Sequence, residues 1–129
     1  MSKSTRKFSI KWKSSKKPKK QKKYRLNAPL HIKRKFVHAH LSKELMKKYK
    51  KRSVGIRTGD KVMIMRGAFK KREGKVEEVE LKRTKIYISG VEVTKKDGTK
   101  AKIPIEPSNL MITELNTDDK IRQKIIERK

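Results

Sequence analysis

Positive charge is spread so unevenly along this chain that it dictates where a core can form. Of 129 residues, 40 are Lys or Arg and 13 are Asp or Glu, a formal net charge of +27. Up to Arg57 there are 22 basic residues and one acid, Glu44; beyond it there are 18 basic and 12 acidic. A segment of +21 over 57 residues repels itself. It also has too little apolar surface to offset a backbone ordering cost of about 1–2 kcal/mol per residue. Such a segment needs a polyanion. The core therefore belongs to the charge-balanced second half. With 33% hydrophobic and 5% aromatic residues, one small domain is expected, not an enzyme with a deep pocket.

The absence of cysteine excludes disulfides and thiolate metal sites. The longest apolar run is Val62 to Met65. That is far short of the about seven residues of a signal-peptide core or the roughly 20 of a membrane span. A soluble, unprocessed chain without membrane insertion is expected.

From Met1 to Arg25 there is no period of 2 or 3.6, and residues 1–25 read as an extended basic arm. Phe8, Ile10, Trp12 and Tyr24 interrupt it. Flat rings beside cations can stack on unpaired bases, or they can dock on the protein itself. Residues 26–57 read as short basic helices. Asn27-Ala28-Pro29 resembles a helix start leading to a helix from about Ala28 to Ala39. Ser42 caps a second helix, Lys43 to Tyr49, anchored by Leu45, Met46 and Tyr49. Residues 58–115 alternate with period 2. Strands run around Val62/Ile64, Val76/Val79/Leu81, Ile86/Ile88, Val91/Val93 and Ala101/Ile103/Ile105, ending with Leu110 to Thr113. The step of three from Val76 to Val79 suggests a bulge, and Asp97-Gly98 between alternating apolar residues is a hairpin signal. So many short strands fit a small closed barrel, which removes exposed edges. Residues 116–129 read as a helix capped by Thr117, with Ile121, Ile125 and Ile126 on one face, docked on the barrel or on a partner. On this reading trypsin removes everything before about Lys51 and leaves a fragment beginning near Gly55.

The stretch Gly59 to Val76 is the most informative. Two strands meet across a basic loop bounded by Gly67 and Gly74, which can take positive φ and let backbone amides approach a phosphate. Arg66, Lys70, Lys71, Arg72 and Lys75 surround them. This stretch resembles the KOW motif of SH3-like barrels. With Asn27-Ala28-Pro29-Leu30-His31-Ile32-Lys33-Arg34-Lys35, Leu41-Ser42-Lys43-Glu44-Leu45, Arg52-Ser53-Val54-Gly55-Ile56-Arg57, Ile105-Glu106-Pro107-Ser108-Asn109 and Ile125-Ile126-Glu127-Arg128-Lys129, the chain resembles one family over almost its whole length. That family is the large-subunit ribosomal proteins numbered twenty-four in bacteria and archaea and twenty-six in eukaryotes. Members often have glycine where this chain has Lys71. Compared with eukaryotic members it lacks a basic tail beyond Lys129, which points to the archaeal branch.

The resemblance implies a mainly β protein, with a small SH3-like (KOW) barrel, a basic N-terminal extension containing short helices, and a C-terminal helix. It implies a cytoplasmic ribonucleoprotein role in translation: a structural constituent of the large subunit that binds its rRNA and assists early assembly. It further implies a position near the peptide exit tunnel. Neighbouring ribosomal proteins, the nascent chain and exit-site targeting factors are the other expected partners. By the same resemblance the hairpin tip around Thr99 lies at the exit rim. RNA contacts are expected from Arg6, Lys7, Lys11, Trp12, Lys13, Lys16, Lys17, Lys19, Lys20, Lys22, Lys23, Tyr24, Arg25 and Asn27 in the arm. His31, Lys33, Arg34, Lys35, Arg52 and Arg57 follow, with Arg66, Gly67, Lys70, Lys71, Arg72, Gly74 and Lys75 in the barrel loop.

Other readings carry less. His31, His38 and His40 have no cysteine or carboxylate cluster to complete a metal set, and Glu77, Glu78 and Glu80 have no nucleophile or phosphate-loop signature beside them. No cofactor, metal or catalysis is expected. A KOW-containing transcription elongation adaptor binding RNA polymerase and RNA is the alternative, although such factors usually join the barrel to a second folded domain. A polybasic membrane-surface protein would need an amphipathic period that the arm lacks.

Overall fold

The computed structural model describes residues 7–128. Eight strands and four α-helices follow a 3-10 turn at Ile10–Ser14. A mixed six-stranded sheet forms the barrel. In sheet order it comprises β2 (Ser53–Gly55), β1 (His38–Leu41), β8 (Leu110–Glu114), β3 (Lys61–Ile64), β4 (Glu73–Glu80) and β5 (Lys85–Ile88). All neighbouring strands are antiparallel except β1 and β8, which pair in parallel through His40 opposite Met111 and Leu41 opposite Ile112. A separate two-stranded ladder, β6 (Glu92–Thr94) with β7 (Lys100–Lys102), is the expected hairpin around Asp97-Gly98. A bridge between Ile86 and Ile105 ties the chain leaving it to β5.

Alternation along the strands explains the core. Val62 and Ile64 point inward from β3, Ile86 and Ile88 from β5, and Leu110 and Ile112 from β8, all buried. Each such side chain contributes about 1.5–3 kcal/mol by leaving water. The step from Val76 to Val79 is a bulge as expected: Val76 pairs with Ile88 and Glu78 with Tyr87, so Glu77 has no opposite residue.

The sheet contains more strands than the period-2 segment predicts. β1 and β2 come from residues expected to be helix and linker, yet Ala39, Leu41 and Val54 belong to the main core. β1 lies between β2 and β8, so a boundary near Gly55 would cut through the sheet. The first helix also departs from expectation. Residues 18–25, expected to be extended, form most of α1 (Pro18–Asn27), and a second helix, α2 (Leu30–Phe36), follows it. Asn27 is the last residue of α1, not a cap. Its side chain donates to the carbonyl of Lys7 at 3.1 Å. The break is steric: Ala28 precedes Pro29, and its ψ of 137° is the extended value that a following proline enforces.

Helix α3 (Lys43–Tyr49) begins as expected, with the Ser42 hydroxyl accepting from the Leu45 amide at 3.4 Å. The terminal helix α4 (Lys120–Glu127) does not begin on Thr117. Asp119 is its cap and accepts from the Ile121 amide at 2.8 Å. Its packing face is also different. Ile121 and Ile125 are exposed, and α4 docks on its own barrel through Ile126 and the buried Arg122.

Candidate nucleic-acid interface

The N-terminal extension has a small core of its own. Tyr24, Ala28 and Ile32 are buried, with Phe8, Trp12 and Phe36 packed around them. Phe8 stacks on Tyr24 with ring centroids 5.5 Å apart, and Trp12 and Phe36 meet Phe8 and Tyr24 edge-on at 6.3 and 5.7 Å. The Gln21 amide lies 2.7–3.2 Å from the carbonyls of Trp12, Lys13 and Ser15, tying the 3-10 turn to α1. The expected aromatic contacts with RNA are thus divided. Tyr24 is inside the cluster, whereas Trp12 stays half-buried with the Lys20 ammonium 5.0 Å from its ring centre. The signal is a spacing of four, Tyr24-Ala28-Ile32-Phe36, concealed because the proline break lies within it.

Around this cluster the basic side chains face outward. Lys7, Lys11, Lys13, Lys16, Lys17, Lys19, Lys22, Lys23, Arg25, His31, Arg34, Lys35 and Arg52 are exposed; Arg6 lies outside the described residues. Besides Tyr24, Asn27 and Arg25, two further expected ligands are engaged within the protein. Arg57 pairs with Asp119, and Lys33 Nζ donates to the Lys82 carbonyl at 2.6 Å.

Charge pairing divides the molecule. In the barrel and C-terminal segment, Glu73 and Glu114 share Lys61, Glu77 meets Lys102, Glu80 meets Arg83, Glu106 meets Lys85 and Asp60 meets Arg122. Hydrogen bonding to Glu114 raises the Lys61 pKa, and hydrogen bonding to Glu77 raises that of Lys102. Among the described residues before Arg57, only Arg25 lies in an ion pair, 3.8 Å from Glu106. Exposed pairs add little stability, but they occupy most of the carboxylates beyond Arg57. The field of the extension is left uncompensated.

The β3–β4 loop is a second cationic surface, held rigidly. The Lys71 amide donates to the Ile64 carbonyl at 2.7 Å, and the Lys70 amide to that of Gly67 at 3.1 Å. Phe69 packs on the main core, and the Arg72 guanidinium lies 5.1 Å from its ring centre. Arg66, Gly67, Lys70, Lys71, Arg72 and Lys75 are exposed. Gly67 has φ +98° and nothing within 4 Å of an added Cβ, so its backbone is open to a ligand. Gly74 serves differently. Its φ is not positive, and an added Cβ would lie 2.5 Å from Ile88 Cγ2 and 2.7 Å from the Ser89 carbonyl. The smallness of Gly74 lets two strands approach; the left-handed residue at that end of the loop is Lys71, at φ 68°.

A cavity of about 360 Å³ lies between β2 and α4, with Arg34, His38 and Arg57 among its lining residues. Partial desolvation of the otherwise exposed His38 ring, then the Arg34 charge, lowers its pKa from the ordinary value of 6.5. Among the described residues no three His, Asp or Glu come together to hold a metal, and no helix is long and apolar enough to cross a membrane.

A KOW-type loop on an SH3-like barrel, with helices on a cationic N-terminal extension and a C-terminal helix, defines a small mainly β protein of the SH3-like class. Residues 15–129 match the family model of ribosomal proteins that spans the eukaryotic protein numbered twenty-six and the archaeal protein numbered twenty-four. The large ribosomal subunit protein uL24 of Methanothrix thermoacetophila is 52% identical over 114 residues, covering 88% of this chain and 98% of that protein. That of Methanocorpusculum labreanum is 46% identical over 114 residues, covering 88% and 94%. The chain belongs to this family of eukaryotic and archaeal ribosomal proteins. Both relatives are archaeal, in agreement with the branch expected from the sequence.

Proposed function

We propose that this protein is a cytoplasmic structural constituent of the large ribosomal subunit that binds its rRNA and enters assembly early. The observation that carries the reading is the division of charge, with most carboxylates beyond Arg57 held in ion pairs and the cations of the extension largely exposed and unpaired among the described residues. Family membership and the printed names of the relatives support the subunit assignment. The extension supplies affinity through phosphate neutralisation. The rigid 66–72 loop supplies register, because fixed donors at defined spacing position a nucleic acid where mobile ones do not. Neighbouring ribosomal proteins are its protein partners in this assignment.

The position near the tunnel exit belongs to the same proposal. It rests on the family resemblance, and the β6–β7 hairpin supplies the tip that would lie there: the Asp97 side chain accepts from both the Thr99 amide at 3.0 Å and its hydroxyl at 2.7 Å, holding a short, exposed turn. The Thr99→Cys variant, carrying a crosslinker in translating ribosomes, should give products with nascent chain or a targeting factor. Crosslinks only to deep rRNA would remove the tip from the exit.

Sedimentation of cell lysate through a gradient tests the assignment as a whole. Co-migration with the large subunit is expected, and migration with RNA polymerase instead would transfer the protein to the elongation-adaptor reading.

A further inference from the structure

The extension and the barrel enclose a groove that neither forms alone. Lys22 and Arg25 of α1 and Lys33 of α2 line one side, and Lys82, Arg83 and Lys85 around the β4–β5 turn line the other, around a volume of about 860 Å³. Glu106 is the one carboxylate among its lining residues. The two sides are joined. Lys33 Nζ donates to the Lys82 carbonyl at 2.6 Å, and Glu106 lies between Lys85 at 2.5 Å and Arg25 at 3.8 Å. Six cations against one carboxylate repel one another across a shared space, so the groove is stabilised by an anion that spans it.

We propose that this groove seats a stretch of RNA sugar-phosphate backbone, with phosphates held from both sides. The inference rests on the rRNA-binding reading above and adds Lys82, Arg83 and Lys85 to the contacts. An extended polyanion suits it better than a single small anion, because the cations line two opposite sides of a volume of about 860 Å³, and Glu106, the one point where two of them meet, is already a carboxylate. RNA suits it better than an acidic protein segment. Protein interfaces are depleted in lysine and centred on apolar or aromatic anchors, whereas this lining is lysine-rich and Leu26 is its single large apolar residue. One strand in the groove would contact extension and barrel together, so binding there would clamp the extension in place.

The test uses the full chain with Lys82→Glu and Arg83→Glu together. Both side chains are exposed, and the Lys82 carbonyl that Lys33 uses is retained. Lys47→Glu with Lys48→Glu on α3 makes the same charge change away from the groove. Affinity for large-subunit rRNA is measured against salt. The groove pair should bind at least about tenfold more weakly, with a salt slope shallower by about 1.5, and the α3 pair should lose distinctly less. Equal losses from the two pairs would mean general electrostatics and overturn the groove. Unchanged affinity of the groove pair, with wild type binding rRNA, would overturn it while leaving the rRNA-binding reading intact. No rRNA affinity in the wild type would remove both. A photo-crosslinker on Arg83→Cys in assembled subunits should reach RNA, and crosslinks only to a neighbouring protein would show that an acidic protein segment occupies the groove.

Discussion

Arg122 lays its two terminal nitrogens on the two carboxylate oxygens of Asp60, at 2.5 and 2.6 Å, across 62 residues of sequence. Both side chains are buried, and the rest of their polar surface is nearly all used. Asp60 also accepts from the amides of Arg57 and Asn116, each at 2.9 Å, while Arg122 donates to the carbonyls of Asn116 and Gly55. Only Arg122 Nε lacks a partner. The pair fastens the terminal helix to the strand entry of the KOW loop.

Removing one partner leaves the other charge buried without compensation, at a cost of about 3–5 kcal/mol. Arg122→Met should therefore lower the urea midpoint sharply. Asp60→Asn should cost less in the Arg122→Met background than in wild type, giving a clear coupling energy in the double-mutant cycle. Simple additivity of the two changes would show that the pair does not act as a unit.

The two glycines of the loop should respond differently to substitution. Gly74→Ala forces a Cβ against Ile88 and the Ser89 backbone, and should cost about 1–3 kcal/mol through overpacking; Gly74→Val should cost more. Gly67→Ala meets open space and should cost about 1–2 kcal/mol for its backbone conformation alone. Gly67→Val should therefore harm RNA binding more than folding, whereas at Gly74 folding suffers first. Lys71→Gly should relieve the left-handed strain, offset by glycine's entropy, for a net gain of up to about 1 kcal/mol. Urea titration of Gly74→Ala, Gly74→Val, Gly67→Ala and Lys71→Gly reads the stability changes, and rRNA titration of Gly67→Val reads the binding.

Limited trypsin digestion should give a resistant fragment beginning at about Lys35 to His38, because β1 is internal to the sheet. A fragment beginning near Gly55 would show that β1 detaches readily and that the sheet begins later.

Affinity for rRNA should fall by roughly a thousandfold or more between 50 and 200 mM salt if 6 to 10 phosphates are neutralised, on the scale of duplex DNA. Deleting residues 1–25 should flatten the slope. An unchanged slope would place the main phosphate ligands elsewhere.

Because the His38 pKa is lowered on folding, the unfolded chain binds a proton more readily than the folded one. Stability should fall as pH drops below about 6.5 and level off beneath the folded-state pKa, with no effect above. His38→Gln should abolish that part of the thermal pH profile. The ring is partly exposed, so the change should be small but measurable by calorimetry.

Local information determined much of this protein. The alternation Val62/Ile64, Ile86/Ile88 and Leu110/Ile112, the Ser42 cap, the Glu77 bulge and the Asp97-Gly98 hairpin all depend on residues close in sequence, and each was legible. So was the division of charge, which is a property of composition. The order of strands and the fate of the polar exceptions were not. β1 is a strand because Ala39 and Leu41 fill a core made largely by residues further along the chain. Asp60 and Arg122 look like ordinary surface charges until folding closes 62 residues between them. The aromatic residues of the extension could have stacked on RNA or on one another, and only three-dimensional proximity assigned Tyr24 to its own cluster. The same holds for Gly74, whose need for smallness comes from the neighbouring strand and not from its own φ. Burial and long-range pairing are set by segments distant in sequence, so tertiary structure alone decided them.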